Sequence, residues 1–522
     1  MTSNLNKNGR NLVASLARIH KKDVSEETLS SHAQKVNVVG AGGSLTAAYE
    51  QLRNAAENTE EHLLLQNAIK RFYKQLFITR DAQLVSTSGN ELAVELTLAG
   101  YLPNNSLSKD QLNEVSKKAK KFYEATETLQ KRRGVGPEQI SHWILDVLAV
   151  EVELVLNNHD EDSAFVEFAY EYFSQTLSEK ILFGKTNISD FGAALYVSIY
   201  RALLKADDAA VRAMLLRRYQ VSINDLDRYI EFNKNIDKLF VSKTTDRLFH
   251  IVDRQGAPLR ILRRMIQDNP AIETVIEKRE VFLDEYERQI NKEYSQVGHR
   301  INRAIVRSVI FLIITKFIVG VAIEVPYDLW AHDKILWQPL LINLLFPPLY
   351  MVLLRLTHAL PSSANTEALV DQIDTMLYGD RTSLMKAQAG GERYSNVFSF
   401  IYLLSSLAVF ALVSWCLYLL DFSVVHILIF FVFISAASFL GFRLSRLIRE
   451  LEVLRGSQNG VTFVRDLLYL PFVVVGRWMS DKYSRVNIVT LILDMLIELP
   501  LKTILRLVRQ WAAFIDDRKD KI

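Results

Sequence analysis

The chain has 522 residues, enough for two or three units, and its 49% apolar content is too low for a protein wholly embedded in lipid. A formal net charge of +3 provides no global basic field, so nucleic acid is not an expected partner. The single cysteine, Cys416, excludes a disulfide framework and a multi-cysteine zinc site within one chain.

Residues 1–45 read as a flexible basic leader and hinge. Lys7, Arg10, Arg18, Lys21 and Lys22 precede the first acid, Asp23, and Leu12 to Ile19 suits a short amphipathic helix. That pattern has something of a mitochondrial transit peptide, and the plainer reading is a basic leader on a cytoplasmic domain. The leader has no secretory apolar core, so the first membrane span must act as the targeting signal. KVNVVGAGGSLTAA, Lys35 to Ala48, has the glycines of a dinucleotide loop at Gly40, Gly42 and Gly43, but Leu45 stands at the third glycine position. The next residues form a charged helical pattern rather than a second strand, which favours a hinge with Ser44 or Thr46 as a helix cap.

From residue 46 to 270 the pattern predicts an all-α cytoplasmic domain. Tyr49 to Phe77 places Leu52, Ala56, Leu63, Ala68, Ile69, Phe72 and Leu76 near helical spacing. Here, in AAYEQLRNAAENTEEHLLLQNAIKRFYKQLF, and again in the C-terminal LPFVVVGRWMSDKYSRVNIVTLILDMLIELPLK, the chain resembles uncharacterised multipass membrane proteins of candidate-phylum bacteria. That resemblance carries no activity, and it implies a bacterial cytoplasmic membrane. Pro103 to Asn105, Gly134 to Pro137, Asn157 to Asp162 and Gly184 to Asn187 mark turns. Between them Trp143, Ile144, Val147, Leu148, Val152 and Val155, and then Phe165, Phe168, Tyr172 and Phe173, form core faces. No sustained alternation predicts sheet, and no 20–50-residue period predicts a solenoid. Arg260, Arg263 and Arg264 sit on a short apolar helix; they suit a solvated face or contact with anionic headgroups.

Residues 271–304 read as a stalk helix through Phe282, Tyr286, Ile290, Tyr294 and Val297, continuous with the first span or paired with a second copy as a short coiled coil. Four spans occupy 305–442: 305–325, 336–356, 397–420 and 424–442. Each is long enough to cross about 30 Å of hydrocarbon at roughly 1.5 Å per residue. Pro339, Pro347 and Pro348 predict a kink in the second. The third and fourth, separated by Asp421 to Ser423, form a hairpin. Arginines and lysines before the first span, between the second and third, and after the fourth (Arg443, Arg446, Arg449, Arg455) place both termini in the cytoplasm. Trp330 and Trp337 fit the outer interfacial belt. Thr366 to Met376 reads as one helix capped near Asn365. Residues 443–522 are read as amphipathic membrane-surface helices. Val461 to Met479 is too short on its apolar side to cross, and Val486 to Ile515 carries a narrow polar stripe.

Ionisable groups at membrane depth are costly to keep, so they are the strongest functional pointers. Lys316, Glu324, Asn343 and Arg355 are candidates to line an ion or substrate path, or to pair structurally. Arg260, Arg263, Arg264, Arg443, Arg446 and Arg449 are candidates for headgroup contact. His142 with Asp146 lacks a nucleophile, and His159, Asp160, Glu161 and Asp162 form an acidic turn of the kind normally left in water. Lys185 lacks a phosphate-cradling glycine loop. The pattern therefore predicts no catalysis, metal or cofactor. It predicts a membrane scaffold or tether with a cytoplasmic protein partner, lipid contacts and a capacity to form homo-oligomers. An oligomeric channel or transporter comes second and a membrane-bound enzyme third. The expected location is the cytoplasmic membrane, with the mitochondrial inner membrane as the alternative.

Overall fold

The computed structural model describes residues 5–30, 35–37, 47, 50, 63–130, 136–157, 160–177, 190–357, 360–379, 396–454, 460–485 and 511. The glycine hinge, His159, Lys185 and nearly all of 486–522 lie outside the described residues. Within them the fold is all-α, with no named strand and one isolated bridge, Lys35 to Ser108.

The helical domain begins with α1 (Lys7–Ser30), α2 (Leu64–Ile78), α3 (Ala82–Ser86), α4 (Ser88–Leu98), α5 (Lys109–Gln130), α6 (Pro137–Leu156) and α7 (Asp160–Thr176). It continues with α8 (Phe191–Ile199), α9 (Asp208–Arg218), α10 (Leu226–Phe240), α11 (Lys243–Gln255), α12 (Ala257–Asp268) and α13 (Ile272–Ile276). Local chemistry sets several starts. Asp81, Asp207, Asp225 and Ser242 cap α3, α9, α10 and α11 by accepting hydrogen bonds from first-turn N–H groups. Pro137 occupies the first turn of α6, where its missing N–H costs nothing. The aromatic faces read from the sequence are buried: Trp143, Phe165, Phe168, Tyr172 and Phe173 all lie in the interior.

The stalk and first span are one helix, α14 (Arg279–Val319), of 41 residues. After a π-helical turn, Gly320–Glu324, it continues into α15 (Val325–His332). Then come α16 (Trp337–Thr357), which accommodates Pro347 and Pro348, α17 (Ser363–Tyr378), α18 (Asn396–Tyr418), α19 (Val424–Arg449) and α20 (Gly460–Arg485). Four of these helical stretches are long and apolar enough to cross a membrane: α14–α15, α16, α18 and α19. Phe311, Ile314, Phe317 and Ile318 on α14, and Leu403, Leu404 and Leu407 on α18, face outward, as lipid-facing residues would.

α17 starts one turn earlier than the sequence suggests. Ser362 is the N-cap residue, and Asn365 sits inside the helix as a clamp. Its Nδ2 donates to Tyr294 Oη (2.8 Å) and to the Leu451 carbonyl (2.9 Å), while its Oδ1 accepts from Val453 N at 2.8 Å. Stalk, α17 and the end of α19 are thereby joined. A single hydrophobic core runs from Leu5 through the helical domain to Leu369, Ile373, Leu377, Ile448 and Leu451.

α20 packs along α19. Tyr469 Oη donates to the Ser438 carbonyl at 2.9 Å, and the Phe472 ring lies 5.1 Å from Phe410 of α18. A Cβ on Gly476 would fall 2.2 Å from the Ser435 carbonyl oxygen, so only glycine permits this approach. These contacts seat residues 469–476 beside the middle of α19. In the sequence, 461–479 shows only an apolar face of insufficient length.

Candidate functional site

The polar residues of the bundle gather in its half remote from the helical domain. Lys316, near the middle of the first span, forms a fully buried ion pair with Glu324. In an unbroken α-helix, residues eight apart are about 80° out of line; the extra residue of the π-helical turn brings them back to one face. The Lys316 ammonium also lies 4.8 Å from the centre of the Phe433 ring on α19.

One turn beyond Glu324, Asp328 is completely buried and accepts from Leu336 N at 2.9 Å, which ties the α15–α16 connection to the bundle. His426, at the start of α19, is equally buried. Its Nε2 is 3.6 Å from Asp328 Oδ2, and its Nδ1 is 2.7 Å from Ser423 Oγ. Asn343 of α16 donates from Nδ2 to the His426 carbonyl at 3.2 Å. Among the described residues, Glu324 Oε2, Asp328 Oδ1, Asn343 Oδ1 and His426 Nε2 have no hydrogen-bond partner. Toward the helical domain the bundle turns apolar: Leu312, Met351 and Ala437 pack together, flanked by Val309, Leu354, Leu440 and Leu444.

Three of the four candidate path residues thus fall in one cluster, Lys316 with Glu324 directly and Asn343 through His426. Arg355 is in the last turn of α16, its side chain outside the described residues. Asp328 and His426 do not stand out in the sequence. Asp328 lies just past the first span among connection residues, and His426 carries no formal charge. Proximity to a span end is the signal that marks both: each is a titratable residue within one turn of such an end.

The other candidates lie elsewhere. Arg263 makes a two-pronged pair with Asp162 at 2.7 and 2.8 Å. Arg260 donates to the carbonyls of Ala202 and Glu450 and pairs with Asp253. Arg264 reaches buried Glu293 at 3.2 Å. These guanidinium groups are engaged with carboxylates and carbonyls of the protein itself. Arg443, Arg446 and Arg449 are exposed at the end of α19. Asp160 is paired with Lys22, and no group of three or more His, Cys, Asp or Glu among the described residues has a metal-binding arrangement.

His142 Nδ1 does meet Asp146, at 2.9 Å, in the helical domain. Asp146 is also paired with Lys70 and lies 3.9 Å from Arg212 Nε. Burial alone would push its carboxyl up, but the His142 hydrogen bond and the Lys70 charge hold it below the ordinary value. Among the described residues near this pair no nucleophile completes a catalytic arrangement. A cleft of about 640 Å³ nearby is lined by Lys118, Lys121, Glu151, Arg217 and Tyr229, with Lys118 paired to Glu151 at 2.7 Å. No protein-family model matches the chain, and comparison with curated proteins and with solved structures gives no match.

Proposed function

We propose that this protein is an integral membrane scaffold, with both termini in the cytoplasm, that holds a helical protein-binding platform in fixed orientation against the bilayer. The observation that carries this reading is the single core shared by the helical domain, α17 and the end of α19. Arg279 with Asp374 (2.7 Å), Tyr378 Oη with the Ile276 carbonyl (2.6 Å) and Lys205 with Glu450 (2.8 Å) reinforce the junction. A domain free to swing on one stalk would need none of these contacts. Arg443, Arg446 and Arg449 form the basic rim expected beside anionic headgroups.

The buried cluster favours a second reading, a transporter or channel, because ionisable groups at membrane depth are costly to keep and often mark ion or substrate paths. Against it stands the apolar packing around Leu312, Met351 and Ala437, which closes the half of the bundle next to the helical domain. Ion flux through the full-length protein in liposomes separates the two. The scaffold reading expects no flux of potassium, sodium or protons above that of empty vesicles. Flux that Lys316→Leu abolishes would overturn it. Orientation is testable separately by labelling single cysteines placed in a Cys416→Ser background.

A further inference from the structure

The buried cluster carries a charge imbalance that is independent of whether the helical domain recruits a partner. Among the described residues, one cation, Lys316, stands among two carboxylates, Glu324 and Asp328, and it is already paired with Glu324. The groups left facing Asp328 are imidazoles: His426 at 3.6 Å and His332 Nδ1 at 3.8 Å. A carboxylate withdrawn from water without a compensating charge is strongly disfavoured, and one added positive charge removes the deficit.

The geometry indicates where that charge goes. His426 has an oxygen at each ring nitrogen, Ser423 Oγ beside Nδ1 and Asp328 Oδ2 beside Nε2. Ser423 Oγ can bond Nδ1 in either protonation state, as donor or acceptor, while Nε2 and Asp328 Oδ2 lie 3.6 Å apart with no hydrogen bond between them, so a proton bound on either one lies between the two groups. The charged groups acting on His426 are Asp328, Glu324, Lys316 and His332, all from the α14–α15 stretch. The Tyr327 ring is 6.4 Å away, and α16 contributes the neutral Asn343. We propose that Asp328 and His426 together bind one exchangeable proton, taken up from the face of the bundle opposite the helical domain.

That face is close. His332, at the end of α15, is partly exposed and adjoins Asp328, so it links the buried pair to the surface of the 332–336 connection. A solvent hydronium or buffer acid supplies the proton to the pair, and the same route returns it. Loaded, the pair ties the start of α19 to α15; unloaded, that tie is lost and the Tyr327 ring of α15 remains against His426.

The test is an infrared pH titration of the full-length protein in nanodiscs, run in sodium and again in choline. In a Glu153→Gln background, which removes the raised carboxyl of the helical domain, the protein with the pair intact is expected to show one titrating buried-carboxyl band that is the same in both salts. Asp328→Asn, neutral and of the same shape, should lose it. His426→Gln should move its midpoint to lower pH, because one of the two groups that hold the shared proton is gone. The proposal is overturned by a protein with the pair intact and no such band, by a band that survives in Asp328→Asn, or by a midpoint that sodium displaces, which would make the cluster a sodium site. Should Asp328→Asn not assemble, an unmoved midpoint in His426→Gln is enough to overturn it.

Discussion

Two buried aspartates, Asp146 in the helical domain and Asp328 in the bundle, meet opposite fates. Around Asp146, Lys70 and His142 both reach in from water, and each keeps part of its side chain exposed. Arg212 adds a second layer by bonding Asp237 at 2.6 Å and Asn233 at 2.8 Å, and Trp143 Nε1 donates to Asp237 at 3.0 Å. Among the described residues Asp328 has no lysine or arginine against it; two imidazoles at longer range and one backbone donor face it. A cation bordering water can be half-solvated while it pairs. A carboxylate enclosed within the helical bundle must be balanced by protein groups or by a bound proton.

The largest effect that would sharpen this contrast is expected at Lys316. Lys316→Met leaves Glu324 buried and uncompensated and should cost about 3–5 kcal/mol, read as a fall in thermal unfolding temperature in nanodiscs. Replacing both residues, Lys316→Met with Glu324→Leu, should recover most of the loss. If the single variant is as stable as the wild type, the bundle interior is wetter than its packing implies, and the contrast fails.

A smaller loss is expected at the water-bordered network. Arg212→Met removes the partner of Asp237 and Asn233, but the exposed edge of Asp237 can be hydrated, so the expected cost is about 2 kcal/mol by denaturant or thermal unfolding. A loss equal to that of Lys316→Met would mean that access to water does not distinguish the two regions.

The smallest effect is a pH slope. Burial, and secondarily the neighbouring Asp207 charge, push the Glu153 carboxyl up to about 7. An acid whose folded-state value is raised favours folding at pH below its ordinary value of 4.5 and loses that contribution as pH rises through about 7. Wild type should therefore unfold at lower temperature at pH 8 than at pH 6, and Glu153→Gln should flatten that part of the slope. An unchanged slope in the variant would assign the dependence to another group.

Much of the architecture is legible in the sequence because it rests on local periodicity. Phe282, Tyr286 and Ile290 repeat toward the first span, and the structure has the stalk and span as one helix. The four apolar runs are likewise long enough to be recognised without knowing their neighbours. Lys316, Glu324 and Asn343 stand out as polar residues in apolar runs. Asp328 and His426 do not, because their meeting depends on how α15 packs against the start of α19. The three arginines of α12 read as a basic patch; that their guanidinium groups face Asp162, Asp253 and Glu293 depends on how α12 packs against α7, α11 and α14.

The sequence by itself determined that the chain is helical, that four stretches suit hydrocarbon and where charge is scarce, since each depends on residues within a few turns of one another. Only the tertiary structure decided that the helical domain shares its core with α17 and α19, that α20 seats against the middle of α19 through Gly476, and that Asp328 faces His426. Those are contacts between segments remote in sequence, set by side-chain shape and by the cost of leaving buried polar atoms unpaired. No local pattern encodes them.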